Sequence, residues 1–309
     1  MTSAPAKFIL FGEHAVVYGQ PAIAAPLSNL RVTATIRKLK DQQQMRLITT
    51  GENESLPIDI HLEDVNSAFA TTARLVLDYF DALPPQVEIS IDSQIPVASG
   101  LGSGAAVTTA LARAIAEAIN QSLPDEKLNQ IVFEVEKIYH GIPSGIDNTV
   151  IVYEKPVYYV RNHPLELLSI PKPIMFVVGD TGISASTKIA VSDVGRLHKA
   201  EPNRIQPILA SIGGLVNRAR IAIESGHIEP LGHLMLQNHA LLRTLTVSSP
   251  EIENLIEAAI AGGALGAKLS GGGRGGNMIA LVQADTAENV RQALLNAGAK
   301  RAFITTLGE

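Results

Sequence analysis

Three glycine-bearing segments far apart in the chain constrain it most: residues 7–19 (KFILFGEHAVVYG), 96–106 (PVASGLGSGAA) and 268–277 (KLSGGGRGGN). Regular helices and strands do not run comfortably through such clusters, because glycine loses the most conformational freedom on folding. Each cluster therefore marks a place where the backbone turns tightly or must lie bare against something. Bare amides preceding a helix suit an anion, since the first-turn N–H groups lack internal partners and carry partial positive charge. One such loop would be a weak signal. A fourth segment, 136–147 (EKIYHGIPSGID), adds the carboxylates that phosphate chemistry requires.

At 309 residues and 46% hydrophobic, the chain can bury a large core and is long enough for two domains. A formal net charge of −5 indicates no broad basic face for nucleic acid, though it says nothing against a small anionic substrate. Cysteine is absent, which excludes disulfides and zinc–thiolate sites. The first residues lead into a short mixed strand, not a secretory leader, and no apolar run has the length of a membrane span. A cytoplasmic enzyme acting on a small molecule, with no nucleic-acid or membrane partner, is the expectation.

The first half alternates strands and helices. Strands are expected at 7–11, 22–26, 30–36, 45–49 and 87–91, with a helix over 65–80. An alanine-rich helix follows at 105–120, then another at 125–140 with Pro124 at its start. The latter's apolar stripe is Leu128, Ile131, Val132, Val135 and Ile138. Glu136 falls about 100° from the stripe's centre, on the flank, while Lys137 points to solvent. Residues 149–153 read as a strand. Beyond them prolines punctuate a connection holding a strand at 157–161, and 174–178 is a buried strand. Helices are expected at 186–199, 204–225, 230–245 and 252–261, and the chain closes strand–helix–strand at 278–282, 287–297 and 302–306. The second half thus reads as an α+β sandwich, with a domain boundary placed near residue 160.

Gly100, Leu101, Gly102, Ser103 and Gly104 precede the alanine-rich helix and could cradle phosphates. The loop lacks the Gly-Lys-Ser/Thr ending of a P-loop and the strand–loop–helix context of a dinucleotide fingerprint. Ser103 could instead simply cap the helix. Glu136 can serve as a hard oxygen ligand for Mg²⁺ or as a solvated helix acid. Asp147 follows Gly145 in a turn-rich link, so a catalytic acid–base role and an Asx-turn both fit. Lys7 lies in an apolar run: it is a surface lysine, or it points inward and then must meet an anion.

Taken together and in order, these segments resemble the GHMP kinases, and among them the branch that phosphorylates mevalonate. Gly12, Glu13 and His14, followed by Ala-Val-Val, match that branch's first motif. Residues 96–106 are similar to the second motif, 140–148 (with Pro-Ser-Gly-x-Asp) to the segment bearing the catalytic acid, and 268–276 to the third. The resemblance implies an N-terminal domain of the ribosomal-protein-S5-domain-2-like type over 1–160, carrying nucleotide phosphates and catalysis. A ferredoxin-like domain would occupy 161–309. ATP and Mg²⁺ are implied as cofactors, mevalonate as the small-molecule partner, and a homodimer as the assembly. By position, Asp147 would be the base toward the 5-hydroxyl of mevalonate and Lys7 its partner. Glu136 would bind Mg²⁺; Glu13, His14 and Thr187 would border the acceptor; residues 100–104 would wrap the phosphates. Thr187 and Lys188 lie in 180–188 (DTGISASTK), which is similar to a family segment bordering the acceptor. Three positions depart from the pattern, one of them Asn277, where a cysteine is common. Gly104 stands where a metal-binding serine is usual, leaving Ser103 or a water to fill the place, and Arg274 stands where glycine is common. Arg274 could reach an anion or face solvent. Other small-molecule kinases of this fold, acting on phosphomevalonate or a sugar, and a catalytically silent binding protein are the competing readings; retention of Lys7, Glu136 and Asp147 together weighs against the silent one.

Overall fold

The computed structural model describes residues 1–39, 45–50, 55–96, 100–141 and 143–308; Val97, Ala98, Ser99 and Ile142 of the motifs lie outside them. In chain order the strands and helices are β1 (Thr2–Phe11), a 3₁₀ turn (Ala15–Tyr18), β2 (Ala22–Lys38), β3 (Arg46–Thr50), β4 (Ser55–Asp59), α1 (Ala68–Phe80), β5 (Val87–Ser93), α2 (Ser103–Ala118), α3 (Asp125–His140) and α4 (Ile146–Tyr153). Then come β6 (Val157–Tyr159), β7 (Glu166–Leu167), β8 (Ile174–Asp180), α5 (Thr187–Ala200), α6 (Pro202–Glu224), α7 (Leu231–Thr244), α8 (Pro250–Ala261), β9 (Gly266–Ser270), β10 (Asn277–Val282), α9 (Ala287–Asn296) and β11 (Arg301–Leu307).

The chain divides into two compact units: Met1–Lys7 with Pro26–Pro96 and Gly102–Glu154, and Phe8–Ala25 with Val97–Leu101 and Lys155–Glu309. In the first, β3 pairs antiparallel with β4 and parallel with β5, and β5 pairs antiparallel with Val32–Lys38 of β2. Helices α1 to α4 supply the other layer. The buried face of α2 is almost all alanine (Ala105, Ala106, Ala110, Ala112, Ala114) with Leu111 and Ile115. Small side chains there admit close approach by neighbouring helices. Two arginines tie the end of α4 down: Arg31 and Arg113 both pair with Glu154, at 2.9 and 2.7 Å.

In the second unit the sheet order is β11-β8-β10-β9, every neighbour antiparallel. With helices between β8 and β9 and α9 between β10 and β11, this is the ferredoxin-like β-α-β-β-α-β arrangement. Its core joins Val177, Leu209, Ile212, Leu242, Leu255, Leu269, Met278 and Val290. Phe8 from β1 stacks edge-on against Phe176 at 5.7 Å. Ser186 and Ser249 cap α5 and α8 through their hydroxyls.

Four expectations change. The strands expected at 22–26 and 30–36 are one continuous strand, β2. The helix expected from Val65 begins at Ala68, because Ser67 accepts from Ala70 N–H and caps it; Val65 is exposed. Ile138 is partly exposed, so the α3 stripe ends at Val135. Residues 149–153 form part of helix α4. The β-branched run suggested a strand, but Gly145 at φ 92° starts a helix and Ile146, Val150 and Ile151 are buried. Tertiary burial overrides the local preference here.

Candidate active site

In the first unit, Lys7 leaves β1 with its side chain only 3% exposed, so the inward alternative holds. Its Nζ lies 3.0 Å from Oδ1 of Asp147, which sits in the first turn of α4. The lysine and the N-terminal end of α4 thus both set positive charge against that side chain. Glu136 on α3 is buried beside the pair, and its carboxyl is pushed up to about 8. Burial is the main cause and the charge of Asp147 adds to it, while Lys7 opposes both. Lys137, one residue on, faces solvent and pairs with Glu134 at 2.6 Å.

The start of α2 belongs to the same group. Its cap is Gly102, at φ 76°, with no side-chain capping bond, and Ser103 is the first helical residue. The capping role considered for Ser103 is therefore not the one seen. Glycine suits 102, because φ is left-handed and a Cβ there would lie 2.7 Å from Ile151 Cδ1 and 3.0 Å from Lys7 Cγ, which would have to give way. The loop backbone accordingly lies directly on the lysine stem. Gly104 continues the helix and brings no hydroxyl.

In the second unit, three contacts stitch the first motif to the third, more than 250 residues away. Ile9 N–H donates to Ser270 Oγ, and that hydroxyl donates back to Ile9 O, both at 3.0 Å. Lys268, wholly buried, pairs with the equally buried Glu13 and donates to Leu269 O at 2.6 Å. Burial lowers the Lys268 ammonium pKa and Glu13 opposes that. His14, at φ 60°, donates from Nε2 to Gly272 O at 3.0 Å. Since a carbonyl can only accept, Nε2 carries the proton and Nδ1 is an acceptor. That Nδ1 is buried with no hydrogen-bond partner among the described residues. Burial is the main force lowering His14 to about 4, with the charge of Arg274 assisting.

Thr187 opens α5 and lines a small cavity with Gly100, Ser270, Gly272 and Gly276. Leu101 is buried. Lys188 is partly exposed, and Arg274 is engaged by protein groups rather than pointing freely outward. The structure therefore groups Lys7, Asp147, Glu136, Gly102 and Ser103 in one unit, and Glu13, His14, Thr187 and Gly100 in the other. Sequence reasoning passed over Lys268 and Ser270. Their signal was present, as a lysine and a serine immediately before a glycine run, but their partners lie at the far end of the chain.

The arrangement suits group transfer: a carboxylate held by a buried ammonium, a second buried acid beside it, and the glycine-capped start of a helix. Residues 66–155 match the GHMP kinases N terminal domain and residues 219–300 the GHMP kinases C terminal domain. The mevalonate kinase of Thermococcus gammatolerans is 37% identical, with 96% of this chain and 93% of that one covered. That of Pyrococcus abyssi is 40% identical, over 91% and 88%. The L. major mevalonate kinase solved in complex with R-mevalonate superposes with a TM-score of 0.86 at 30% identity, over 99% of this chain and 95% of that one. On motif, fold and similarity along almost its whole length, the chain belongs to the mevalonate kinase family of the GHMP kinases.

Proposed function

We propose that this protein transfers the γ-phosphoryl group of ATP to the 5-hydroxyl of mevalonate, giving 5-phosphomevalonate and ADP for isoprenoid synthesis. The observation that carries the reading is the 3.0 Å contact between buried Lys7 and Asp147. Asp147 takes the hydroxyl proton as the oxygen attacks phosphorus. Lys7 orients that carboxylate and sets a positive charge against the oxygen as its own negative charge develops. Gly100, Leu101, Gly102, Ser103 and Gly104 hold the phosphate oxygens, chiefly through backbone amides at the start of α2. His14 offers Nδ1 as an acceptor to a donor on the alcohol substrate, and Thr187 borders the same substrate. Glu13 supports that wall from behind through Lys268.

The residues present fit Mg²⁺. Glu136 is a buried hard-oxygen donor beside the Lys7–Asp147 pair, and Ser103 brings a hydroxyl at the start of α2. Glu136 and Ser103 would hold the ion, which supplies neutralisation of phosphate charge when bound.

Asp147→Asn and Lys7→Met should each lower turnover more than tenfold, ~1.4 kcal/mol or more, with the KM for ATP little changed. ADP release measured with mevalonate, phosphomevalonate, homoserine and galactose tests the substrate. Near-normal turnover in either variant removes that residue from its role, and preference for another acceptor overturns the substrate.

A further inference from the structure

Arg274 interrupts the glycine run 271–276 and takes a backbone conformation that glycine would adopt more readily, φ 60°. Three contacts hold it there. Its N–H donates to Val247 O at 2.7 Å, its Nε donates to Thr246 O at 3.3 Å, and its Nη1 pairs with Asp193 of α5. The loop is pressed closely onto the 246–247 turn, since a Cβ at Gly273 would lie 1.9 Å from Val247 O. Asp193 lies six residues after Thr187 on the same helix, roughly 9 Å along its axis. Thr187 and Gly272 line one cavity, from the helix side and the loop side respectively. Gly272 also fixes the proton of His14.

We propose that the Arg274–Asp193 ion pair is a positioning clamp, which sets the separation between the glycine loop and the start of α5 and so the fit of the acceptor alcohol. Arg274 acts through its neighbours and does not touch the reacting atoms. Exposed ion pairs contribute little to stability. This one is half-buried and is joined by two backbone contacts of the same residue, so its effect falls on loop position.

The proposal rests on the mevalonate kinase reading, and two measurements keep the two separable. Arg274→Gly suits the left-handed backbone and removes the side chain with its Asp193 and Thr246 contacts; Asp193→Ala removes the partner from a helix, and with it the Arg196 pair. Each should raise the KM for mevalonate at least fivefold, leave the KM for ATP within twofold, and leave kcat within threefold. The double variant should be impaired by less than the product of the two single effects, because both remove the Arg274–Asp193 contact, while Asp193→Ala alone also frees Arg196. A merely structural role would lower the active fraction, and hence kcat, with KM unchanged. An unchanged KM for mevalonate, a parallel rise for ATP, or additive effects in the double variant overturns the clamp. If the unaltered protein fails to phosphorylate mevalonate, the functional reading falls and the clamp is judged by amide hydrogen exchange. Exchange across 271–276 should then be at least tenfold faster in Asp193→Ala than in the parent, and equal rates overturn it.

Discussion

Charge states at single residues make the most direct predictions. His14 is lowered to about 4, whereas an unfolded histidine titrates near 6.5. Between those values the unfolded chain binds a proton that the native one does not, so stability falls as pH drops from 6.5 toward 4. The loss at the acid end is roughly 3 kcal/mol, from 1.36 kcal/mol per pH unit. Denaturant titrations at pH 7 and pH 4.5 should show it, and His14→Gln should flatten this part of the profile. Glu136 runs the other way. Its carboxyl holds a proton to about 8, so native binding of that proton favours the fold less and less as pH rises from 4.5 through 8. Binding of a cation at this carboxylate at pH 7 should therefore release a proton. Calorimetry of Mg²⁺–nucleotide binding in buffers of different ionisation enthalpy would register the release, and Glu136→Gln should abolish it.

At the level of elements, the start of α2 is where backbone and chemistry meet. Gly102→Ala places a methyl against the Lys7 stem and strains a left-handed residue, at a cost of about 1–2 kcal/mol. Stability and kcat should both fall, whereas Gly104→Ser, on the same helix, should leave the fold intact and tighten Mg²⁺ dependence; an unchanged metal titration would show that the hydroxyl is not missed. Most elements were legible. The period of α3 placed its ends and the flank position of Glu136, and the glycine clusters located the turns. The residues after Gly145 were not, because a run of β-branched side chains looks the same in a buried helix as in a strand until its neighbours are known. The continuity of β2 was hidden by Pro26 for a similar reason. Lys7 shows the limit at the site: its burial depends on Asp147, 140 positions away, and strand spacing alone favours a surface lysine.

For the molecule as a whole, the buried Lys268–Glu13 pair is the most consequential long-range contact. Glu13→Gln strands an ammonium with no exposure to water, a class of change that costs about 3–5 kcal/mol. A marked fall in melting temperature is expected, and Glu13→Leu combined with Lys268→Met should recover much of it. The feature also has a temporal side. Ile9, Glu13 and His14 belong to the same compact unit as β9 and the glycine loop, yet 255 residues separate Glu13 from Lys268. A ribosome adding about 5–20 residues per second needs roughly 13–50 s to travel that distance. Phe8 gains its ring partner Phe176 partway through that interval, but Glu13 has no Lys268 to meet until its end. This unit therefore cannot close around its buried ion pair until the strand bearing Lys268 has been made.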